Sequence, residues 1–195
     1  MRGLTICSLP KGSAMKIRTS ISLLAAMLLA AAAFTHARPQ AGSKDAPAKE
    51  SILKAGEVGD KLLPEKVFFR GQVAPVQARN TAGVRYADGL FVLTGLVDSS
   101  GYSTGIKEKY QAYFVNEVPL EIGGQTLKPG AYGVGFVEGN KFVVMDIAAN
   151  DVFQVASAKD ADLKRPVPLQ IAAASTEGNY RLYHGRDYVE FHRAK

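Results

Sequence analysis

Beyond residue 37 the chain carries two histidines, His184 and His192, and any acid–base chemistry at neutral pH would start from one of them. A His beside a carboxylate can serve as a general base with its orienter. A turn at Gly185-Arg186 sets His184 opposite Asp187, while His192 lies near the chain end on the other face of the same strand pair. The two imidazoles therefore do not converge, and a solvent-exposed turn pair is the simpler reading of His184 and Asp187. A serine triad would have to recruit one of these two histidines, so a serine hydrolase is set aside.

Carboxylates are scattered rather than paired. Asp146 and Asp151 bracket a short linker, and Asp160 and Asp162 sit in Ala-Lys-Asp-Ala-Asp-Leu. A glycosidase needs two carboxyls facing each other across a cleft, and a calcium loop needs oxygen ligands at closely alternating positions. Asp160-x-Asp162 lacks the Gly and Glu that complete such a loop, and it reads as a solvated turn. Gly133-Val134-Gly135 lies inside a strand and lacks the third glycine of a phosphate loop. These residues call for no catalytic group, metal or cofactor.

Binding chemistry has better candidates. In Val67–Asn80, alternation puts Phe68, Arg70 and Gln72 on one face and, after Pro75, brings Gln77 and Arg79 together beside Asn80. Every cation between Lys66 and Lys107 is an arginine, whose forked donors suit carboxylates or sugar hydroxyls. Arg70, Gln72, Gln77, Arg79 and Asn80 are accordingly the candidate binding residues, with a plain wet strand face as the alternative. Tyr102 and the Tyr183/Tyr188 pair are the possible sugar platforms in a chain with eight tyrosines and no tryptophan. Gly133 and Gly135 are expected to share a face with Phe142 and Val144, leaving a flat strip that a core aromatic or another strand would fill.

The elements that position these residues read as hairpins, because apolar residues alternate with period two between glycine-bearing turns. A turn at Asp88-Gly89 sets Tyr86 against Phe91 and Val84 against Leu93. A turn at Gly139-Asn140 sets Glu138 against Lys141, with Phe136/Val143, Val134/Met145 and Tyr132/Ile147 on one face. The turn at Gly185-Arg186 pairs Leu182 with Val189 and Tyr180 with Phe191, and on the opposite face Arg181 with Glu190 and Tyr183 with Tyr188. Further strands are expected over 67–73, 110–118 and 167–174, and short helices near 51–55 and 157–164. Eight to ten short strands predict an all-β antiparallel β-sandwich over residues 51–195, with a small β-barrel as the alternative.

Ahead of this domain, residues 21–34 form an apolar run preceded by Lys16 and Arg18 and followed by Thr35-His36-Ala37, the three-part layout of a secretory signal peptide. The run is shorter than the roughly 20 residues of a transmembrane helix. Cleavage is expected after Ala37, with Met15 a more usual start than Met1, and residues 38–50 read as a flexible linker. The exported chain would be periplasmic or secreted, with no transmembrane anchor. Cys7, the one cysteine, would leave with the signal, so the exported part has no disulfide and no thiolate. Of 24 bases and 18 acids, four bases and no acid precede residue 38, so the exported part is only +2 and nucleic acid is a poor partner.

The segment Leu127-Lys128-Pro129-Gly130-Ala131-Tyr132-Gly133-Val134 resembles the Leu-x-x-Gly-x-Tyr start of a strand in secreted bacterial β-sandwich modules, including transthyretin-like and carboxypeptidase-regulatory-like domains. It is closer still to small exported bacterial proteins of unknown function, over roughly residues 120–192. That resemblance implies a β-sandwich and export, and it supplies no catalytic residues. The expectation is an exported, non-catalytic binding or envelope-associated interaction module. A hydrolase acting on an envelope polymer through carboxylates is the alternative.

Overall fold

The computed structural model describes residues 49–195; the expected signal peptide and the linker up to residue 48 lie outside the described residues. In chain order these residues form β1 (Ser51–Leu53), α1 (Ala55–Leu62), β2 (Lys66–Phe69), β3 (Gln72–Arg85), β4 (Phe91–Val97), α2 (Thr104–Lys107), β5 (Ala112–Asn116), β6 (Leu120–Ile122) and β7 (Gln125–Leu127). There follow β8 (Gly130–Val137), β9 (Lys141–Met145), β10 (Asp151–Ala156), β11 (Ala158–Lys159), β12 (Gln170–Ala173), β13 (Asn179–His184) and β14 (Asp187–Arg193). One sheet has the order β1-β3-β4-β5-β8-β9-β10, with β2 against the start of β3. The other has the order β12-β13-β14-β6-β7, with β11 against β14. Every pairing is antiparallel. The fold is thus an all-β sandwich, and among the described residues neither sheet closes into a barrel.

The two sheets face each other through one core. Val84, Val92, Phe114, Val134 and Phe142 of the first sheet meet Leu120, Ile122, Leu182, Val189 and Phe191 of the second, and Phe114 stands edge-on to Phe191 with ring centroids 6.4 Å apart. The first sheet is buried on its other side too. There Phe69, Tyr102, Ile106 and Tyr110 cover Val143 and Met145, and Leu53, Val58 and Leu63 cover Leu93.

This double burial sets the register differently from the alternation pattern. The loop after β3 has three residues, Ala87-Asp88-Gly89, closed by Gly89 N–H donating to the Tyr86 carbonyl and Tyr86 N–H to the Leu90 carbonyl. Val84 therefore opposes Val92 and Arg85 opposes Phe91, one residue away from the expected pairs. Val92 enters the sandwich core and Leu93 packs outward against α1. The second hairpin is displaced in the same way, with Phe136 opposite Phe142 and Val134 opposite Val144. Gly133 and Gly135 consequently oppose Met145 and Val143, and Ile147 is 51% exposed rather than paired with Tyr132. When both faces of a strand are apolar, a one-residue slip exposes nothing, so loop length decides the register.

The third hairpin has every expected pair, from Tyr180/Phe191 to His184/Asp187. Its outer face is polar, with Arg181 2.7 Å from Glu190, so a slip would bury charge. The helices differ from expectation. Ser51–Leu53 is a strand and α1 begins after it, while Ala158–Lys159 pairs with β14 instead of forming a helix. Pairing of this kind outweighs the weak helical preference of a short polar segment.

Candidate ligand-binding site

The expected binding residues all lie on β2, β3 and the turn between them. Val67–Val73 is not one strand, because the chain reverses at Arg70-Gly71, where both residues have positive φ (47° and 76°). That is the backbone of a two-residue turn whose twist matches a strand pair. Phe68 opposes Val73, Phe69 opposes Gln72, and Arg70 forms the tip instead of sharing a face with Phe68 and Gln72. The inward residues Val67, Phe69 and Ala74 are buried. Phe69 stacks on Tyr110 at 3.8 Å between centroids, and the Tyr102 hydroxyl donates to the carbonyls of Phe69 at 2.9 Å and Gln72 at 3.3 Å. Tyr102 is therefore a buried clamp on the hairpin, not an exposed platform.

An arginine in the left-handed region carries a backbone cost that asparagine bears more easily. Arg70→Asn is expected to raise stability by up to about 1 kcal/mol, read from urea unfolding. A loss of stability would show that the guanidinium supports the fold.

The five candidates separate into two groups. Arg70 and Gln72 sit at the tip, and Gln77, Arg79 and Asn80 lie roughly 16 Å further along β3, at about 3.3 Å per residue. At that far end Asn80 Nδ2 donates to Gln77 Oε1 at 2.8 Å. The Thr81 hydroxyl donates to the Ala78 carbonyl at 3.0 Å and reaches the Ala55 carbonyl at 3.4 Å, tying β3 to the start of α1. Gly59 breaks the helical backbone of α1, and a Cβ there would lie 3.1 Å from the Ala78 carbonyl oxygen. Its bare backbone lets α1 lie directly on β3.

Between the two runs a groove of about 420 Å³, floored by Ala55, Gly56, Gly59 and Ala78 and walled by Asp60, Lys61 and Arg79. Among the described residues neither Lys61 nor Arg79 forms an ion pair. A forked guanidinium and an ammonium over a floor of small residues can receive a carboxylate or phosphate group. Lys61 was not legible as part of this site, because only the packing of α1 on β3 brings it to Arg79.

The histidines and most of the carboxylates are otherwise engaged. His184 points into the end of the sandwich and stacks on Phe136, 6.1 Å between centroids, so it is not a solvent-exposed turn residue. Burial pushes its imidazole below the ordinary value, against an opposing pull from Asp187. The unfolded chain then binds the proton first, so stability is full above the unfolded value of about 6.5 and falls as pH drops through the folded one. His184→Gln should flatten that acid limb in thermal melts run from about pH 7 to about pH 5. An unchanged limb would place the titration elsewhere.

His192 faces outward, 3.7 Å from Glu121, beside a second groove of about 390 Å³ that also holds Glu190 and Tyr188. The charges there are spent: Arg181 pairs with Glu190 and lies 4.5 Å over the Tyr188 ring. Tyr183 is buried with its hydroxyl on Asp160 at 3.0 Å, so the Tyr183/Tyr188 pair is not an open platform. Asp151 pairs with Lys109 at 2.7 Å. Asp146 accepts hydrogen bonds from Asn150 and Ala148, which lower its carboxyl. Among the described residues, no group of three or more His, Cys, Asp or Glu is placed to hold a metal ion.

Serine chemistry, set aside above for want of a convergent histidine, meets a second test at Gly101-Tyr102-Ser103-Thr104-Gly105, which has the Gly-x-Ser-x-Gly spacing. Ser103 precedes α2 with φ −62° and ψ 155°, an ordinary extended backbone and not the strained turn of a nucleophile elbow. The strip beside Gly133 is filled by Phe69 and Tyr110. Compared with known protein families, with curated proteins and with solved structures, the chain matches none.

Proposed function

We propose that the chain is an exported binding module, periplasmic or secreted, that performs no covalent chemistry and holds an anionic group of an envelope component in the groove between α1 and β3. The observation that carries this reading is the pair of unengaged cations, Lys61 and Arg79, over a floor of glycine and alanine. The signal-like segment supplies the compartment. Carboxylate hydrolysis of an envelope polymer is the weaker reading, because every carboxyl with a resolved shift, Asp88, Asp98 and Asp146, is pushed down by hydrogen bonding. A general acid needs the opposite shift.

Retention of the exported chain on an immobilised polyuronate, against an uncharged glucan, tests the groove. Arg79→Gln and Lys61→Gln are each expected to cut retention about tenfold while stability stays within about 0.5 kcal/mol. Retention untouched by both would remove the groove from consideration. Export has its own measurement: intact-mass analysis of envelope material should find a chain starting at Arg38 or within a few residues of it, and a mature chain retaining Cys7 would contradict the compartment.

A further inference from the structure

The outward face of the β2–β3 hairpin carries an apolar pair with nothing over it. Phe68 and Val73 oppose each other across the strands and are each 59% exposed, the highest values among the large exposed apolar residues described. Ile147, 51% exposed, accepts the Arg70 N–H at its carbonyl at 2.7 Å and so flanks the tip. The exposure is built in. Phe69 stacked on Tyr110 and the Tyr102 clamp fix the inward face, so the hairpin cannot turn Phe68 and Val73 inward without breaking the core beneath. Arg70 stays at the tip in spite of its left-handed backbone.

Charge accompanies this face. From Lys66 to Ala87 there are four bases, Lys66, Arg70, Arg79 and Arg85, and no acid, in a chain otherwise close to balance beyond residue 37. The acids on flanking turns are Glu65, Asp98 and Asp146, and the last two are already held by hydrogen bonds. A second copy of the chain is a poor occupant, because two or three side chains fall well short of the roughly 800 Å² per partner of a stable interface. A lipid surface needs no such area: a few inserted apolar side chains with adjacent cations suffice for reversible attachment.

We infer that the tip of the β2–β3 hairpin docks on an anionic lipid surface, with Phe68, Val73 and Ile147 entering the interface and Arg70 and Lys66 meeting phosphates. This attachment is separate from the α1–β3 groove and would hold the module at a membrane while the groove stays open. Among the described residues no helix is long and apolar enough to cross a membrane, so the attachment is by this face alone.

Co-sedimentation of the exported chain with phosphatidylglycerol-containing vesicles, against pure phosphatidylcholine vesicles, tests it. Binding is expected on the anionic vesicles and should weaken as salt rises from about 0.05 M to about 0.5 M. Phe68→Ser and Val73→Ser should each lower the partition coefficient about tenfold, with polyuronate retention and near-UV circular dichroism unchanged. Arg70→Asn should lower it and flatten the salt dependence. No binding of the parent chain to anionic vesicles, or binding indifferent to Phe68→Ser and Val73→Ser, would overturn the inference. So would a dimer in sedimentation equilibrium that Phe68→Ser dissociates, because the face would then belong to a second copy.

Discussion

Gly133→Ala is expected to destabilise the protein by about 3 kcal/mol and to loosen the β2–β3 hairpin at the same time. A Cβ at residue 133 would lie 2.5 Å from Phe69 Cε2 and 2.8 Å from Tyr110 Cδ2, inside any tolerable contact. Those two rings are stacked on each other and are fully buried, so neither can swing into solvent. The relief open to the structure is for Phe69 to withdraw, and the hairpin goes with it. Thermal melting reads the first effect and chymotryptic cleavage at Phe68-Phe69 reads the second. A variant with the parent's melting temperature and protease resistance would show that the stack yields freely and that the hairpin is not anchored there.

Leu182→Ala is expected to cost about 2–5 kcal/mol, because the side chain is buried at the centre of the sandwich core with Val189 and Ile171 as its cross-strand neighbours. Urea unfolding should show the loss as a lower midpoint with an unchanged slope. Leu182→Met, which keeps the volume, should cost less than about 1.5 kcal/mol. Equal losses from the two variants would mean that the site responds to shape rather than to the cavity, and the packing described for β13 would be incorrect.

The sequence makes the class of fold legible, and its accuracy in register depends on how different the two faces of each strand are. In β13 and β14 one face is apolar and the other carries Arg181 and Glu190, so alternation alone recovers every pair. In β4, Phe91–Val97 is buried almost throughout, and alternation has nothing to register against. The three-residue loops then move both of the first two hairpins by one residue.

Arg70-Gly71 escaped as a turn for a related reason: arginine seldom occupies a positive φ, so its presence inside Lys-Val-Phe-Phe-Arg-Gly-Gln-Val reads as continuing strand. The candidate site was legible in part. Arg79, with Gln77 and Asn80 beside it, is recoverable from the Arg/Gln pattern. Lys61 is not, because α1 owes its position to Val58 and Leu63 packing near Leu93 and to Gly59 lying against Ala78. The exposure of Phe68 and Val73 is likewise a tertiary fact, since the same alternation would suit a buried strand.

The central claim is that binding belongs to the ribbon of β2 and β3 with α1, and not to the outer face of the second sheet. Amide chemical-shift mapping of the exported chain, titrated with a soluble oligouronate, tests it most directly. The account predicts shifts confined to residues 55–61 and 77–81, reduced by Arg79→Gln. Shifts centred on Glu121, Tyr188, Glu190 and His192, indifferent to Arg79→Gln, would contradict it and would transfer the binding site to the groove where charges are already paired.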